Sequence, residues 1–292
     1  MLDARYHLFY LIAIFLMLSF GILIGASYYG PVQVRQQRKA FDSLLSQTNT
    51  VVQERKEVQG RLDKDESALA ALRPTVVRGK LAGKRIILVQ TGDYADATEA
   101  ANTALGDSGG IVVATVTLTS KWGMLLPRQR QALQSIAGSV DPVEQDKALS
   151  AALALALVTG GASGSVSAAT IQGIQEQGLI TVSGELTDPC SLFVIVGGSR
   201  EDGMPTAIEG PLLEGFKAVP GPVTVVGCEP YLVAASSIPT FQAAGISTID
   251  CIDLPLGQIA LPFALRGDVG DYGLKLTAHQ QLPSTFGGSP VP

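Results

Sequence analysis

The feature that most constrains this chain is an uncharged, apolar run close to its N-terminus. Leu8–Ser27 contains no Asp, Glu, Lys or Arg. A helix of this length spans about 30 Å, which is the thickness of the hydrocarbon core of a bilayer. Tyr28 and Tyr29 close the run, as aromatic residues do at membrane interfaces. We predict that residues 1–30 form a single transmembrane anchor, with the lipid bilayer as a partner.

The alternative interpretation of this run is a signal peptide that is cleaved from the mature protein. A signal peptide needs an apolar core of only ~7–15 residues and small residues at its cleavage site. The run is longer, and Ile24-Gly25-Ala26 is a poor cleavage site. An uncleaved signal-anchor is therefore favoured. Its orientation stays open, because Arg35, Arg38 and Lys39 follow the run and would by the positive-inside rule stay cytoplasmic, whereas Arg5 precedes it.

Two adjacent patterns favour association of the chain with itself, as a dimer or a higher oligomer. Gly21 and Gly25 form a GxxxG motif, which lets a second membrane helix approach closely. Residues 31–74 then carry an apolar heptad repeat that predicts a coiled-coil stalk ended by Pro74. The alternative is one amphipathic helix folded back on the domain. The heptad core positions are Val34, Gln37, Phe41, Leu44, Thr48, Val51, Arg55, Val58, Leu62, Asp65, Leu69 and Leu72.

From residue 79 the pattern changes to short β-branched runs that alternate with helical stretches. Strands that are apolar throughout and separated by helices predict an α/β domain with a mostly parallel sheet over residues 79–283. Residues 284–292 are predicted to form a disordered tail. The predicted strands are Ile86–Gln90, Ile111–Leu118, Leu192–Val196, Val223–Gly227 and Ile246–Asp250. The predicted helices are Ala95–Leu105, Arg128–Ala137, Lys147–Val158, Ala168–Gln177, Pro211–Lys217 and Gly257–Leu265.

Ligands of open α/β sheets lie beyond the carboxyl ends of the strands. The polar and glycine residues at those ends are therefore candidate ligand-binding residues. Asp93 follows the first predicted strand, Gly197 and Gly198 follow the third, and Asp250 ends the fifth. The same two aspartates are also weighed as catalytic residues, and helix capping or loop solvation is the simpler role for each.

Two cysteines also end consecutive predicted strands. Cys228 and Cys251 would lie near each other if those strands are neighbours, with Glu229 and Asp253 close by. A pair of thiolates suits a soft metal such as Cu(I), and copper is the one cofactor that we consider. The alternative is two buried, inert cysteines, the commonest fate of a free cysteine. Cys190 precedes a strand and is expected to be uninvolved.

Composition argues against several other functions. The net charge of −5 and the isoelectric point near 5.1 disfavour a nucleic-acid partner. The chain has two histidines, so few residues are available for histidine-based catalysis. Gly161–Ser165 lacks the last glycine of GxSxG, and neither a P-loop nor a GxGxxG motif follows the first strand. We therefore expect that the protein is not an enzyme.

Several segments along the chain resemble the MctB-type copper transport protein family. They are Arg5-Tyr6-His7 before the helix with Gly21 and Gly25, Ala114–Thr119 followed by Trp122, Ser247–Asp253, Gly257–Ala260, Gly270–Gly273, Lys275, Ala278 and Leu282-Pro283. The resemblance covers nearly the whole chain. It implies a membrane protein, in some members of the outer membrane, linked to copper efflux and copper homeostasis. The family pattern has Asn where this chain has Cys251, so the resemblance supplies no copper ligands.

The sequence thus predicts a self-associating, single-pass membrane protein with a copper transport or homeostasis role. Its order would be one transmembrane helix, a coiled coil and an extracytoplasmic α/β domain that binds or senses a ligand. A coiled-coil scaffold of the cell envelope, without a metal role, is the alternative. One helix cannot enclose a pore, so direct transport would require oligomerisation.

Overall fold

The computed structural model describes residues 4–122, 124–138, 141–201 and 208–285. The chain divides into two units, Met1–Asp65 and Glu66–Pro292. Most of the predicted tail, residues 286–292, lies outside the described residues. Helix α1, Ala4–Val77, forms the first unit and continues into the second, which contains the sheet.

Within the first unit, Tyr6–Gly25 is a stretch of 20 residues with a mean hydropathy of 2.6, and the described residues bury none of it. By length and composition this stretch is long and apolar enough to cross a membrane. Further along the same helix, a row of apolar side chains from the predicted heptads is also exposed. We name this row the heptad stripe: Phe41, Leu44, Val51, Val58 and Leu62, each at least half exposed.

The prediction that Pro74 ends this helix is wrong, because α1 continues to Val77. Its last turns are held by contacts within the second unit. Arg73 donates to Asp107 Oδ2 from Nη2 at 2.7 Å, and Val77 is fully buried against Ile259 and Phe263. This packing offsets the backbone hydrogen bond that a proline removes from a helix.

The second unit is built on a seven-stranded sheet with the order β3-β2-β1-β4-β5-β6-β7. Neighbouring strands are parallel except for the β2–β3 pair. This confirms a mostly parallel α/β sheet. The strands are β1 Arg85–Gln90, β2 Ile111–Leu118, β3 Ile180–Gly184, β4 Leu192–Val196, β5 Thr224–Cys228, β6 Ser247–Ile249 and β7 Asp271–Tyr272. The helices are α2 Ala95–Asp107, α3 Pro127–Ala137, α4 Pro142–Thr159, α5 Val166–Glu176, α6 Glu209–Ala218, α7 Ile238–Ala243 and α8 Pro255–Leu265.

Three elements escaped the sequence analysis: β3, β7 and α7. Strand β3 is an antiparallel edge strand with three of its five residues exposed, so it lacks the continuous apolar run of the central strands. Strand β7 has two residues and α7 has six, which is too short for a periodic pattern.

Helices cover both faces of the sheet, and alternate residues of each central strand point to opposite faces. In β1, Ile87 and Val89 belong to the core beneath α3–α7, whereas Ile86 and Leu88 belong to the core beneath α2 and α8. Burying a side chain of this size contributes ~1.5–3 kcal/mol. The two-sided core therefore fixes the register of the strands and the position of their carboxyl ends.

The order of the strands creates a switch point beside β1. The chain places β2 on one side of β1 and β4 on the other, so the connections leave in opposite directions. In doubly wound sheets, a crevice opens at this point beyond the carboxyl ends of the strands.

Candidate functional site

A cavity of about 290 Å³ lies at this switch point, and we call it the switch-point cavity. Residues 90–93 at the end of β1, 117–120 at the end of β2 and 198–199 after β4 form most of its wall. Ile208, Glu209, Ala235 and Ser237 complete it. The cavity is thus at the position where this class of sheet binds ligands.

The base of the cavity is a close contact between two backbone segments. Thr91 N donates to Val196 O at 2.9 Å, and Gly92 N donates to the same oxygen at 3.1 Å. A Cβ on Gly92 would lie 2.1 Å from Gly198 O, which no real side chain tolerates. Glycine is therefore required at position 92 for the two strand ends to meet.

The most unusual group in the switch-point cavity is the side chain of Glu209, the first residue of α6. Glu209 is only 2% exposed. Its Oε1 accepts hydrogen bonds from Thr91 Oγ1 and Ser237 Oγ, each at 2.7 Å. Its Oε2 is buried and has no hydrogen-bond partner among the residues that the structure describes.

The environment of Glu209 raises its pKa to about 7. Burial is the main cause, because it penalises the ionised carboxylate. The hydroxyls of Thr91 and Ser237 oppose the rise, and the negative charge of Glu229 adds to it. Glu209 can therefore gain or lose a proton near neutral pH.

Glu209 was not among the residues predicted from the sequence. Its position before an apolar helical stretch looks like an ordinary acidic residue in a first helical turn, which is favourable at any helix N-terminus. Its hydrogen-bond partners are 28 and 118 residues away along the chain. No local pattern carries that information.

The predicted ligand-binding residues Gly197 and Gly198 both contact this group of side chains. A Cβ on Gly197 would lie 2.4 Å from Ser237 Oγ and 2.6 Å from Glu209 Oε1. Gly198 lines the cavity with a φ of +85°, and its N–H donates to Ser237 Oγ at 2.8 Å. The two glycines leave the space in which the carboxylate and the hydroxyl meet.

The two predicted aspartates are placed in different surroundings. Asp93 lines the switch-point cavity and accepts hydrogen bonds from Arg200 N at 3.1 Å and Ser199 Oγ at 3.4 Å. Asp250 does not line it. Asp250 accepts from Leu274 N at 2.8 Å and Lys275 N at 3.0 Å, and so organises the turn after β7.

Cys228 is the last residue of β5, and Cys251 follows the neighbouring strand β6 by two residues. Cys228 pairs in register with Ile249, two residues before Cys251. Both cysteines are fully buried, and burial raises the pKa of both thiols. The charge of the neighbouring cysteine also raises the pKa of Cys228, and that of Asp250 raises the pKa of Cys251.

The carboxylates near these cysteines are bonded to protein donors. Glu229 is buried and pairs with Lys275 Nζ, while Ser236 Oγ donates to it at 2.8 Å and Ser237 N at 2.7 Å. Asp253 accepts from Tyr231 N at 2.7 Å. Within the described parts of the chain, no group of three or more His, Cys, Asp or Glu residues is arranged to hold a metal ion.

Cys190 is separate from this pair. It is buried before β4, and its thiol donates to Arg85 O at 3.3 Å and Leu192 O at 3.4 Å. Burial raises its pKa as well. This is the environment of an inert structural cysteine.

The fold and the cavity define a class of protein. It has a doubly wound α/β domain with a polar crevice at its switch point, and an N-terminal helix that begins with an apolar stretch. Residues 1–283 match the family described as "Copper transport outer membrane protein, MctB". The chain belongs to this family, which supports a copper transport role and a membrane location.

Curated relatives agree with the family match over nearly their entire length. Proteins named "Copper transporter MctB" from Mycobacterium bovis and from two strains of Mycobacterium tuberculosis are each 24% identical to this chain over 318 aligned positions. The alignment covers 98% of this chain and 99% of each relative.

Proposed function

We infer that this protein is a membrane-anchored copper transport or homeostasis protein that self-associates and carries an extracytoplasmic ligand-binding domain. The observation that carries the copper role is the family match over residues 1–283. The observation that supports anchoring is the unburied apolar stretch Tyr6–Gly25. Copper is the cargo in this proposal, not a resident cofactor.

The first unit supports self-association because many of its described apolar side chains are exposed. The heptad stripe is exposed, and a Cβ added at Gly21 or Gly25 would meet nothing within 4 Å. Exposed apolar rows of this size mark interaction surfaces. A second copy of the same helix offers a matching stripe and a matching GxxxG face.

The copper contact in this proposal is the pair Cys228 and Cys251, with Glu229 and Asp253 as nearby charges. Two thiolates form the soft coordination that Cu(I) prefers. Because burial raises the pKa of both thiols, copper binding must release protons and should strengthen as pH rises. A single anchor helix per chain cannot form a pore, so transport in this proposal is either indirect or a property of the oligomer.

A copper titration tests the proposed contact. Cu(I) is titrated into the full chain in detergent, into the Cys228→Ala/Cys251→Ala variant and into Cys190→Ala as a matched buried-cysteine control. We expect the double variant to lose affinity and the control to keep it. Equal affinity of the double variant and the wild type would remove the cysteine site from the proposal.

The copper role itself is tested in a strain that lacks the gene. We expect such a strain to accumulate or tolerate copper differently from its parent, and the intact gene to restore the parental behaviour.

The alternative function, a coiled-coil envelope scaffold without a metal role, is favoured by the lack of a metal-binding group of three or more ligands among the described residues. Unchanged copper accumulation and tolerance would support the scaffold and overturn the copper proposal.

A further inference from the structure

We propose that the switch-point cavity binds a small hydroxylated organic cation, a primary amine of roughly monosaccharide size, with the Glu209 carboxylate accepting the ammonium group. This rests on the ligand-binding role proposed above for the α/β domain and names the chemical class of the ligand.

A buried acceptor atom of Glu209, Oε2, supports this proposal. Buried polar atoms in folded proteins nearly always have a hydrogen-bond partner, and an exception calls for an explanation. Glu209 lines the cavity, is 98% buried, and has an Oε2 atom without a donor in the described structure. A ligand that brings an N–H or O–H donor into the cavity would supply the missing partner.

The acidic side chains in the described wall of the switch-point cavity also support a cationic ligand. The cavity is lined by two carboxylates, Asp93 and Glu209, and by no Lys, Arg or His among its described residues. Arg200, which follows the lining residue Ser199 in the chain, does not line the cavity, and its guanidinium lies 4.8 Å from the Tyr94 ring centre and 3.7 Å from Asp96 Oδ1. The electrostatic environment therefore favours a cation over an anion.

The hydroxyl groups of the wall and the size of the cavity indicate what else the ligand carries and how large it is. Thr91, Thr117, Thr119, Ser120, Ser199 and Ser237 all line it. Hydroxyl groups both donate and accept hydrogen bonds, and so they suit a ligand that carries hydroxyls of its own. A volume of about 290 Å³ lies at the lower end of the range for small-molecule sites, which limits the ligand to about one ring. The described residues of this wall include none of the sulfur or imidazole ligands that copper prefers.

The protonation of Glu209 predicts how binding depends on pH. An ammonium group pairs with the ionised carboxylate, and the pKa of Glu209 in the free protein is about 7. The charged or polar groups described around it are Asp93, which also lines the cavity, the Thr91 and Ser237 hydroxyls, and Glu229, which is paired with Lys275. Affinity for the amine should therefore rise about tenfold between pH 6 and pH 8.

The test compares two probes that differ in one group. 1-Amino-1-deoxy-D-glucitol carries an ammonium where D-glucitol carries a hydroxyl. Calorimetry on the full chain in detergent at pH 8 should show at least about tenfold tighter binding of the amine. Glu209→Gln should remove that preference, because the neutral amide keeps the shape without the charge. Glu214→Gln is the matched control, since Glu214 is an exposed glutamate of the same helix, paired with Lys217.

A second variant guards against a folding defect in the first. Asp93→Asn keeps an acceptor for Arg200 N and should reduce the preference for the amine. Failure of the wild type to bind the amine, equal binding of both probes, or an unchanged preference in Glu209→Gln would overturn the proposal. Copper tolerance of the same variants separates the two proposals, because a normal copper phenotype without amine binding rejects only the ligand assignment.

Discussion

The two units of this protein treat their apolar residues in opposite ways. In the first unit, the stretch Tyr6–Gly25 and the heptad stripe are exposed along a single helix. In the second, the sheet is covered on both faces and the apolar side chains of its central strands are buried. Among the described residues, the second unit buries the apolar side chains of its core, whereas the apolar side chains of the first unit are exposed. In the proposals above, the bilayer and a second copy cover the first unit, and a small ligand occupies the second.

The largest effect that we predict concerns the buried ion pair of the second unit. Lys275→Met leaves Glu229 buried without its cation, which should cost about 3–5 kcal/mol of stability. Lys217→Met breaks only an exposed pair with Glu214 and should cost less than about 1 kcal/mol. Urea unfolding followed by the fluorescence of Trp122, the buried and single tryptophan, reports on this unit.

A loss as small in Lys275→Met as in Lys217→Met would contradict this account. It would show that the second unit tolerates an unpaired buried charge, and the contrast between the two units would weaken.

The next effect is a dependence of stability on pH through Glu209. Its pKa is about 7 in the folded protein against 4.5 for the free side chain, so the folded state holds a proton that the unfolded state loses. The stabilisation is complete below about pH 4.5 and is lost as the pH rises to about 7, by roughly 3 kcal/mol in total. Glu209→Gln should remove this contribution, which urea unfolding at several pH values measures.

An unfolding free energy with the same pH profile in wild type and Glu209→Gln would mean that Glu209 is not the group responsible. Since Gln cannot ionise, the difference between the two profiles isolates this one carboxyl from the other acidic residues.

A smaller effect is expected from the close packing behind the switch-point cavity. Gly197→Ala places a methyl group 2.4 Å from Ser237 Oγ and 2.6 Å from Glu209 Oε1. We expect a loss of about 1–3 kcal/mol, because the neighbouring groups must shift. Gly106→Ala is the control, since its added Cβ meets nothing within 4 Å in α2 and should be neutral or stabilise by up to about 1 kcal/mol. Thermal unfolding measures the stability of the two variants. Equal melting temperatures would contradict close packing around Gly197.

The last effect belongs to the first unit and should leave the second unchanged. Gly21→Ile with Gly25→Ile should weaken self-association by about tenfold or more, because the larger side chains keep a second helix away. Within one chain these positions have open space, so the variant has no internal clash. Ser19→Ile on another face of the helix is the control. Sedimentation in detergent measures the effect, and equal association of both variants would exclude the GxxxG face as the contact.

Much of the fold follows from the sequence because the central strands carry their burial in their own residues. Leu192–Val196 is apolar at every position and was predicted with the observed bounds. The edge elements could not be predicted in this way, because β3 is largely exposed and β7 and α7 are too short for a pattern. Pro74 misled the prediction because contacts made by Arg73 and Val77 outweigh the local preference of a proline.

The candidate site was predictable only in part. Asp93 and Gly198 were found because strand ends meet at one edge of a parallel sheet. Glu209 was not found, since its role depends on Thr91 and Ser237, which the fold brings from distant parts of the chain. Asp250 looked equivalent to Asp93 in sequence, but the structure directs it to the turn at Leu274 and Lys275.

Cysteine cross-linking in native membranes tests most directly the claim that the first unit is completed by the bilayer and a second copy. In the proposed dimer the two anchored helices run parallel, so each heptad core residue would meet its own counterpart. We predict that Val51→Cys forms a disulfide-linked dimer in the membrane fraction and that Gln53→Cys, two positions further along the exposed helix, does not. A chain found in the soluble fraction, or equal cross-linking at both positions, would contradict the account.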